Sequence, residues 1–464
     1  MMLEIILAVL IFFLVIYKWI TKSFDKWKQE GIAHDEPTFP FGTHNILAQK
    51  HHLIEHLHCD YQKFKIGQKL KVHGWFLFGK PALSINDVEI LKQIQVKDFN
   101  HFVDRNEANT TRALQGGGRL DKLWALQLAN ACGDKWKDLR STFTPVFTSG
   151  KMKLMLGFIK TTASALVEAL EDKADAGIEF ELKETFGKFS LDALASCAFG
   201  VDGQSFEKET SLFVDHTARI FQNTTLDNLL LFAKFIPGVV RFQSLFNINT
   251  FKTSPTRYLS EVIRSVLRTR RNSGERRGDM VDLMLDCVTE VGKVQENNNN
   301  GDFCHHETDM QLDPMKKREN MTEDDIVATA LVVLVAGYDT TGMTLSFLAF
   351  EMTRNPDLQE RLHREVDMAF EKNDGKMPDF AVIQNLPFLD MLIHETLRFH
   401  NPVGMNTRTC TKDYALPGTD VTLRKDDLVT FSVMGLHRDP EHFSHPDQFY
   451  PDHFSQEEKA TRHP

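Results

Sequence analysis

Residues 322–353 read TEDDIVATALVVLVAGYDTTGMTLSFLAFEMT. A hydroxyl residue, Thr322, precedes three acids, Glu323, Asp324 and Asp325. That order marks a capped helix start, with negative charge near the positive end of the helix dipole. From Ile326 to Val335 nearly every residue is apolar, so the pattern predicts a long core helix ending near Thr353. Into its middle comes Ala336-Gly337-Tyr338-Asp339-Thr340-Thr341-Gly342. Each glycine inside a helix costs about 1 kcal/mol relative to alanine, and an unpaired buried carboxylate costs more. Small residues there let a bulky group lie against the backbone, and a hydroxyl bonding the carbonyl one turn back can widen the helix. Ala336 and Thr340, four apart, share a face. The same residues also suit a kinked helix packed closely on a neighbour, with Asp339 paired to a base. Taken alone, the stretch leaves both readings open.

Helical periodicity dominates the rest of the chain. Met152 to Asp172, Phe186 to Ala198, Tyr258 to Arg271, Asp357 to Lys372 and Phe388 to Phe399 read as helices, and Lys69 to Phe78, Ala82 to Ile85, Thr407 to Thr411 and Leu428 to Val433 as short strands. The segment from Gln295 to Asn320, with four consecutive asparagines, reads as an exposed loop. The expectation is a mainly α chain with a small β region.

At the start, Ile5 to Tyr17 carries no charge, and Leu3, Trp19 and Ile20 extend the apolar run. A helix needs about twenty residues to cross a bilayer, so residues 1–20 are expected to form a membrane anchor. No small-residue cleavage site follows. Lys18, Lys22, Lys26 and Lys28 come next and place the body on the cytosolic side. An amphipathic or buried helix is the alternative. Asn-x-Thr sequons at Asn109, Asn223 and Asn320 would suit a secreted chain, but the motif is short and weighs less than the lysines. Residues 21–42 read as a polar linker ending in a hinge at Pro37 and Pro40, and residues 43–464 as one large domain. The apolar patch from Leu229 to Gly238 is either core or a loop dipping into the same membrane.

The net charge of −10, from 54 Lys and Arg against 64 Asp and Glu, argues against a general nucleic-acid binder. Six cysteines without regular spacing form neither a disulfide framework nor a C-x-x-C zinc site. Thirty-six phenylalanines point to a large apolar interior suited to an apolar ligand. Two further pairs stand out. Glu395 and Arg398 lie three apart on one helical face among Leu392, Ile393 and Leu397, and so read as a buried pair. Trp136 and Arg140, four apart, offer an indole N–H and a guanidinium to one carboxylate; a tryptophan packed under an arginine stem is the alternative.

In this order, these motifs resemble the cytochrome P450 superfamily, the haem-thiolate monooxygenases. The resemblance runs through the anchor, the proline hinge, Trp136/Arg140, Ala336-Gly337-x-Asp339-Thr340-Thr341, Glu395-x-x-Arg398, Arg408 and the stretch from His437-Arg438-Asp439-Pro440 to Phe454. Val96-Lys97-Asp98-Phe99 and Phe102-Val103-Asp104-Arg105 look like the microsomal branch of arthropods. The resemblance implies a haem cofactor, with Ala336 and Gly337 against its face and Trp136, Arg140 and Arg408 on its propionates. Thr340 would hydrogen-bond oxygen bound at the iron, Asp339 would relay protons, and Glu395 and Arg398 would brace the core beneath. Pocket walls would come from Arg112 to Leu126, Phe206 to Phe242, the central helix and Val403 to Met405. Implied partners are O2, a lipophilic small molecule, the endoplasmic reticulum membrane and an NADPH-dependent flavoprotein reductase, which Lys135 and Lys137 would face.

The chain departs from the pattern twice. The family's third brace member is an arginine in Pro-x-Arg-Phe; here Pro451-Asp452-His453-Phe454 puts His453 in that place. The family's iron ligand is a cysteine in Phe-x-x-Gly-x-Arg-x-Cys-x-Gly, and none of Cys59, Cys132, Cys197, Cys287, Cys304 and Cys410 has that setting. The resemblance therefore implies a fold incomplete at the C-terminus, with the cysteine loop and final helix expected beyond Pro464. The enzymatic assignment belongs to the parent protein. The alternative is an inactive, haem-poor pseudoenzyme that binds lipophiles or the reductase. A peroxide-rearranging isomerase is disfavoured by Asp339 and Thr340, and a helical scaffold leaves the glycines and acid unexplained.

Overall fold

The computed structural model describes residues 2–44, 53–77, 79–105, 114–201, 203, 205–206, 212–222, 239–289 and 322–462. The three sequons, the 229–238 patch and the 295–320 segment lie outside the described residues. The chain divides into two compact units, Met1–Thr110 with His394–Pro464, and Thr111–Ile393. The first of these is assembled from both ends of the chain.

The first unit is built on a four-stranded sheet, where β-branched and aromatic residues pack on a pleated surface. Strands β1 (Val72–Leu77) and β2 (Lys80–Ile85) form an antiparallel hairpin. β3 (Met405–Thr409) belongs to this sheet, and β4 (Tyr414–Ala415) and β5 (Thr422–Leu423) make a separate short ribbon. β6 (Leu428–Ser432) runs parallel to β2, Leu83 opposite Val429, and antiparallel to β3, Thr407 opposite Thr430. Phe76, Leu83, Ile85, Phe102, Leu416, Leu423 and Val429 form its core.

Residues 21–42 are not a free linker. Trp27 is 1% exposed, and its indole N–H donates to the Trp75 carbonyl at 3.0 Å. Gly74 makes room for that indole, because a side-chain carbon there would fall 2.4 Å from the ring. Lys26 pairs with Asp427 at 2.6 Å. The stretch holding Pro40 closes as a turn, with Thr38 and Gly42 exchanging backbone bonds at 2.8 Å, and Thr43 N–H bonds the Phe76 carbonyl. The polar composition that suggested a linker hid one large aromatic anchor. Before it, the helix Met2–Thr21 exposes Leu3, Leu7, Leu10, Phe13, Leu14 and Val15, among others, while Ile20 at its end is buried.

The second unit is helical. The central helix runs Glu323–Arg354, with the expected capping box: Thr322 and Asp325 each accept the other's backbone N–H. Arg264 and Arg271 from the helix Thr253–Ser273 pair with Glu323, and Lys135 reaches Asp325 at 2.9 Å. This helix is apolar and long enough to cross a membrane by composition, but Ile326, Val327, Ala328, Ala330, Leu331 and Leu334 are all buried in the core of this unit.

Its closest neighbour is the helix Leu182–Leu194, and glycines govern the approach. A side-chain carbon on Gly342 would lie 3.2 Å from the Gly187 Cα; one on Gly337 would lie 2.8 Å from a Leu194 methyl. The Ser190 hydroxyl donates to the Tyr338 carbonyl at 2.9 Å. The glycines that suggested room for a flat group thus pack one helix on another. Thr340 donates to the Ala336 carbonyl, at 2.6 Å, and the helix is α throughout. The helix expected to reach Ala198 ends at Leu194, followed by a π-helical turn Ala195–Phe199 that closes on Gly200 at φ 60°.

Replacing Gly342 with valine should destabilise the protein by about 1–3 kcal/mol, because backbone rather than a mobile side chain blocks the added carbons. Gly337→Ala should cost less, since only the Leu194 methyls must turn aside. Urea midpoints of the two variants, read against the wild type, check this order.

Candidate functional site

In the second unit, the central helix has one closed face and one open one. Gly337, Tyr338 and Gly342 face the helix Leu182–Leu194. Ala336 and Thr341 are exposed and Thr340 is half-buried, although they lie midway along a helix whose first half is core. Gly337 therefore has a packing role, and Ala336 and Thr340 mark the accessible side. The Thr340 hydroxyl hydrogen is committed to the Ala336 carbonyl, which leaves the oxygen free to accept. Asp339 pairs with Lys183 at 3.8 Å; its side chain is 25% exposed and that of Lys183 is 64% exposed. The acid is thus in touch with water, and it has the basic partner that the packing alternative foresaw. Nothing in the local sequence signalled Lys183, more than 150 residues away.

Also in this unit, the helix Gly133–Phe143 carries Trp136 and Arg140. Trp136 is half-buried against the core, whereas Arg140 is exposed and forms no ion pair among the described residues. Lys135, expected to face a partner protein, is instead occupied by Asp325, and Lys137 sits 3.7 Å from Asp134.

In the first unit, β3 places Arg408 inside the fold, 6% exposed. Its Nη1 donates to the Asn406 side chain at 3.1 Å and the Thr407 carbonyl at 2.9 Å. Its Nε is buried without any acceptor, and no carboxylate among the described residues pairs with it. Burial, together with the nearby charge of Arg105, pushes this guanidinium down to about 10. A buried cation with an unused donor is a site for an anion, and a planar carboxylate matches its geometry.

The other constellation of this unit is a buried brace. Glu395, Arg398 and His453 are 0%, 2% and 1% exposed. Arg398 binds Glu395 in bidentate fashion, Nε to Oε2 at 2.7 Å and Nη2 to Oε1 at 2.6 Å. The remaining donors go to the carbonyls of His437, Pro446 and Gln448, each at 2.8 Å. Every guanidinium N–H is satisfied. Glu395 also accepts the Tyr450 N–H at 2.7 Å, and His453 Nδ1 stands 3.3 Å from both its oxygens. Burial alone would raise the Glu395 carboxyl, but the bonds from Arg398, His453 and the Tyr450 N–H hold it below its ordinary value. The spacing of Glu395 and Arg398 announced the pair. The three carbonyls and the Tyr450 amide carry no residue-type signal, so sequence reasoning missed them.

Cys197 and Cys410 are buried, and burial pushes both thiols up to about 11. Cys410 bonds the Lys412 carbonyl at 2.7 Å.

The profile of the family described as cytochrome P450 matches residues 36–464. The chain is 31% identical to cytochrome P450 6k1 of Blattella germanica over 464 residues, covering 99% of this chain and 83% of that protein. It is 30% identical to the probable cytochrome P450 6a14 of Drosophila melanogaster, over 97% of this chain and 84% of that one. Identity to cytochrome P450 6B6 of Helicoverpa armigera is 29%, over 97% and 82%.

Because the folded-state Glu395 carboxyl lies below its ordinary 4.5, its contribution to stability is complete above pH 4.5 and is lost as pH falls through the folded value. Glu395→Gln should remove about 3–5 kcal/mol at neutral pH by leaving Arg398 buried and uncompensated. It should also flatten the decline of stability below pH 4.5. Urea unfolding of both proteins from pH 7 to pH 3.5 measures the two effects together.

Proposed function

The chain belongs to the cytochrome P450 superfamily, of the arthropod microsomal type, and on that premise we propose that it acts on lipophilic small molecules at the endoplasmic reticulum membrane. The family and its insect members make it a P450-type monooxygenase with a haem cofactor. In the proposed reaction one atom of O2 enters the substrate, and electrons come from NADPH through a flavoprotein reductase.

The observation that carries this reading is the open middle of the central helix, with an alcohol and a solvent-linked acid side by side. Bound haem supplies the redox centre at which dioxygen is activated. This chain's residues suit such a group: the Arg408 Nε is buried without an acceptor, and it would take a propionate carboxylate. Thr340 Oγ1 gives its own proton to the Ala336 carbonyl and so is oriented to accept a proton donor on the open face. Asp339 Oδ1, beside Lys183 at the surface, can exchange a proton with bulk water and pass it inward. Glu395, Arg398 and His453 keep the backbone of their unit in place and take no part in the chemistry.

The membrane assignment rests on the exposed apolar face of Met2–Thr21 and on Lys18, Lys22, Lys26 and Lys28 behind it. With this helix as the anchor, the body faces the cytosol. The apolar and aromatic content of the chain supports a lipophilic substrate.

In the haem-loaded protein, Thr340→Ala should lower product formed per NADPH consumed by about tenfold or more, with hydrogen peroxide rising to match. Unchanged coupling would remove the role given to Thr340. Arg408→Gln should speed haem transfer to an apo-globin acceptor by about tenfold, the worth of one charge-assisted bond. An unaltered transfer rate would separate Arg408 from the cofactor.

A further inference from the structure

In the second unit, the helix Pro356–Glu371 has one face turned inward and one left to solvent. Glu365 holds the inner face in place: its two oxygens accept the Phe388 and Leu389 N–H groups, at 2.8 and 2.9 Å, where the helix Pro387–Phe399 begins. Ala369 is buried on that face, with Leu362 and Val366 half-buried. The helix is thereby oriented so that Glu360, Arg361, Arg364, Asp367, Met368 and Glu371 are all exposed. Met368 is 52% exposed and borders a groove of about 850 Å³ with Pro387, Phe388 and Met391 as its apolar lining. Arg361 stands at the edge of that groove, its guanidinium 4.0 Å from the Phe388 ring centre.

The charges on the outer face follow an order. Along the chain they run Glu360 negative, Arg361 and Arg364 positive, Asp367 and Glu371 negative, then Lys372 positive. Inversion about Val366 exchanges the signs. Glu360 maps onto Lys372, Arg361 onto Glu371, and Arg364 onto Met368 beside Asp367. A helix with this pattern repels a parallel copy in register and matches an antiparallel one. Within the molecule these charges are little used. Arg364 and Glu360 are 3.9 Å apart with side chains 68% and 67% exposed, a pair of small worth. Asp367, Glu371 and Lys372 form no ion pair among the described residues.

We propose that this face is a contact between two copies of the chain, related by a two-fold axis that crosses the helix near Val366. Glu360 of each copy meets Lys372 of the other, and Arg361 meets Glu371. At the centre, each Met368 enters the groove of the opposite copy over Phe388 and Met391, where a flexible thioether adapts well to an apolar slot. A two-fold contact repeats every interaction, so a sign-inverted pattern on one helix supplies both halves. One helix face and one groove are small beside the interfaces of permanent dimers, and the dimer is accordingly weak and favoured by concentration. The contact is independent of the proposed chemistry.

Sedimentation velocity of the detergent-solubilised full chain, over a range of concentrations, tests this. The wild type should pass from monomer to dimer as concentration rises. Glu360→Lys and Lys372→Glu, at exposed positions, should each weaken dimerisation by about tenfold, because each turns two attractions into two repulsions. The double variant restores the match and should dimerise like the wild type, as should an equimolar mixture of the two single variants. Met368→Lys should leave the chain monomeric. A wild type that stays monomeric throughout would leave the face to a different protein and overturn the proposal. So would a double variant as weak as the single ones, or a dimer indifferent to all of these changes.

Discussion

The first unit depends on a single guanidinium. Arg398 is removed from water, which costs several kcal/mol for an ion, and that cost is offset only because every donor it owns is used. Two go to one carboxylate and three to carbonyls at 437, 446 and 448. A segment with little regular structure thereby acquires one conformation, since any shift of a carbonyl strands a buried N–H. Glu395 works the same way from the other side, drawing the Tyr450 amide and His453 towards one point. The pair is worth more as an organiser of loops than as an attraction between charges.

The second unit has a constraint of a different kind. Gly342 over Gly187 and Gly337 over Leu194 let two helices approach until a serine can bond the partner's backbone. This contact fixes the rotation of the central helix about its axis. With that rotation set, Ala336 and Thr340 must fall on the open side and Asp339 beside Lys183. Glycines that read as clearance for a cofactor act one step earlier, by deciding which residues are left facing outward.

Much of this was legible. Helix periodicity located the long helices to within a few residues, because apolar spacing is a local property and burial rewards it directly. The capping box at Thr322 and the Glu395/Arg398 spacing were equally visible, each being a short-range device whose partners are near in sequence. What failed to show were contacts chosen at long range. Trp27 sits in a polar stretch, and only the absent side chain of Gly74, far along the chain, reveals its slot. Lys135 looked like free surface charge until the fold brought Asp325 to it. Residue type constrains what a side chain can do; the fold decides which partner it meets, and a backbone carbonyl leaves no trace in the residue alphabet.

The attachment of the first helix has a mechanical result. Ile20 is buried, the Ser23 hydroxyl bonds the Gly79 carbonyl at the tip of the β1–β2 hairpin, and Trp27 is clasped within the sheet. Twenty helical residues span about 30 Å, so this is a rod fastened at its base rather than a rope. Whatever captures the rod also tilts the strands to which it is bolted, and the heading of that sheet is settled by three side chains near the root of the helix.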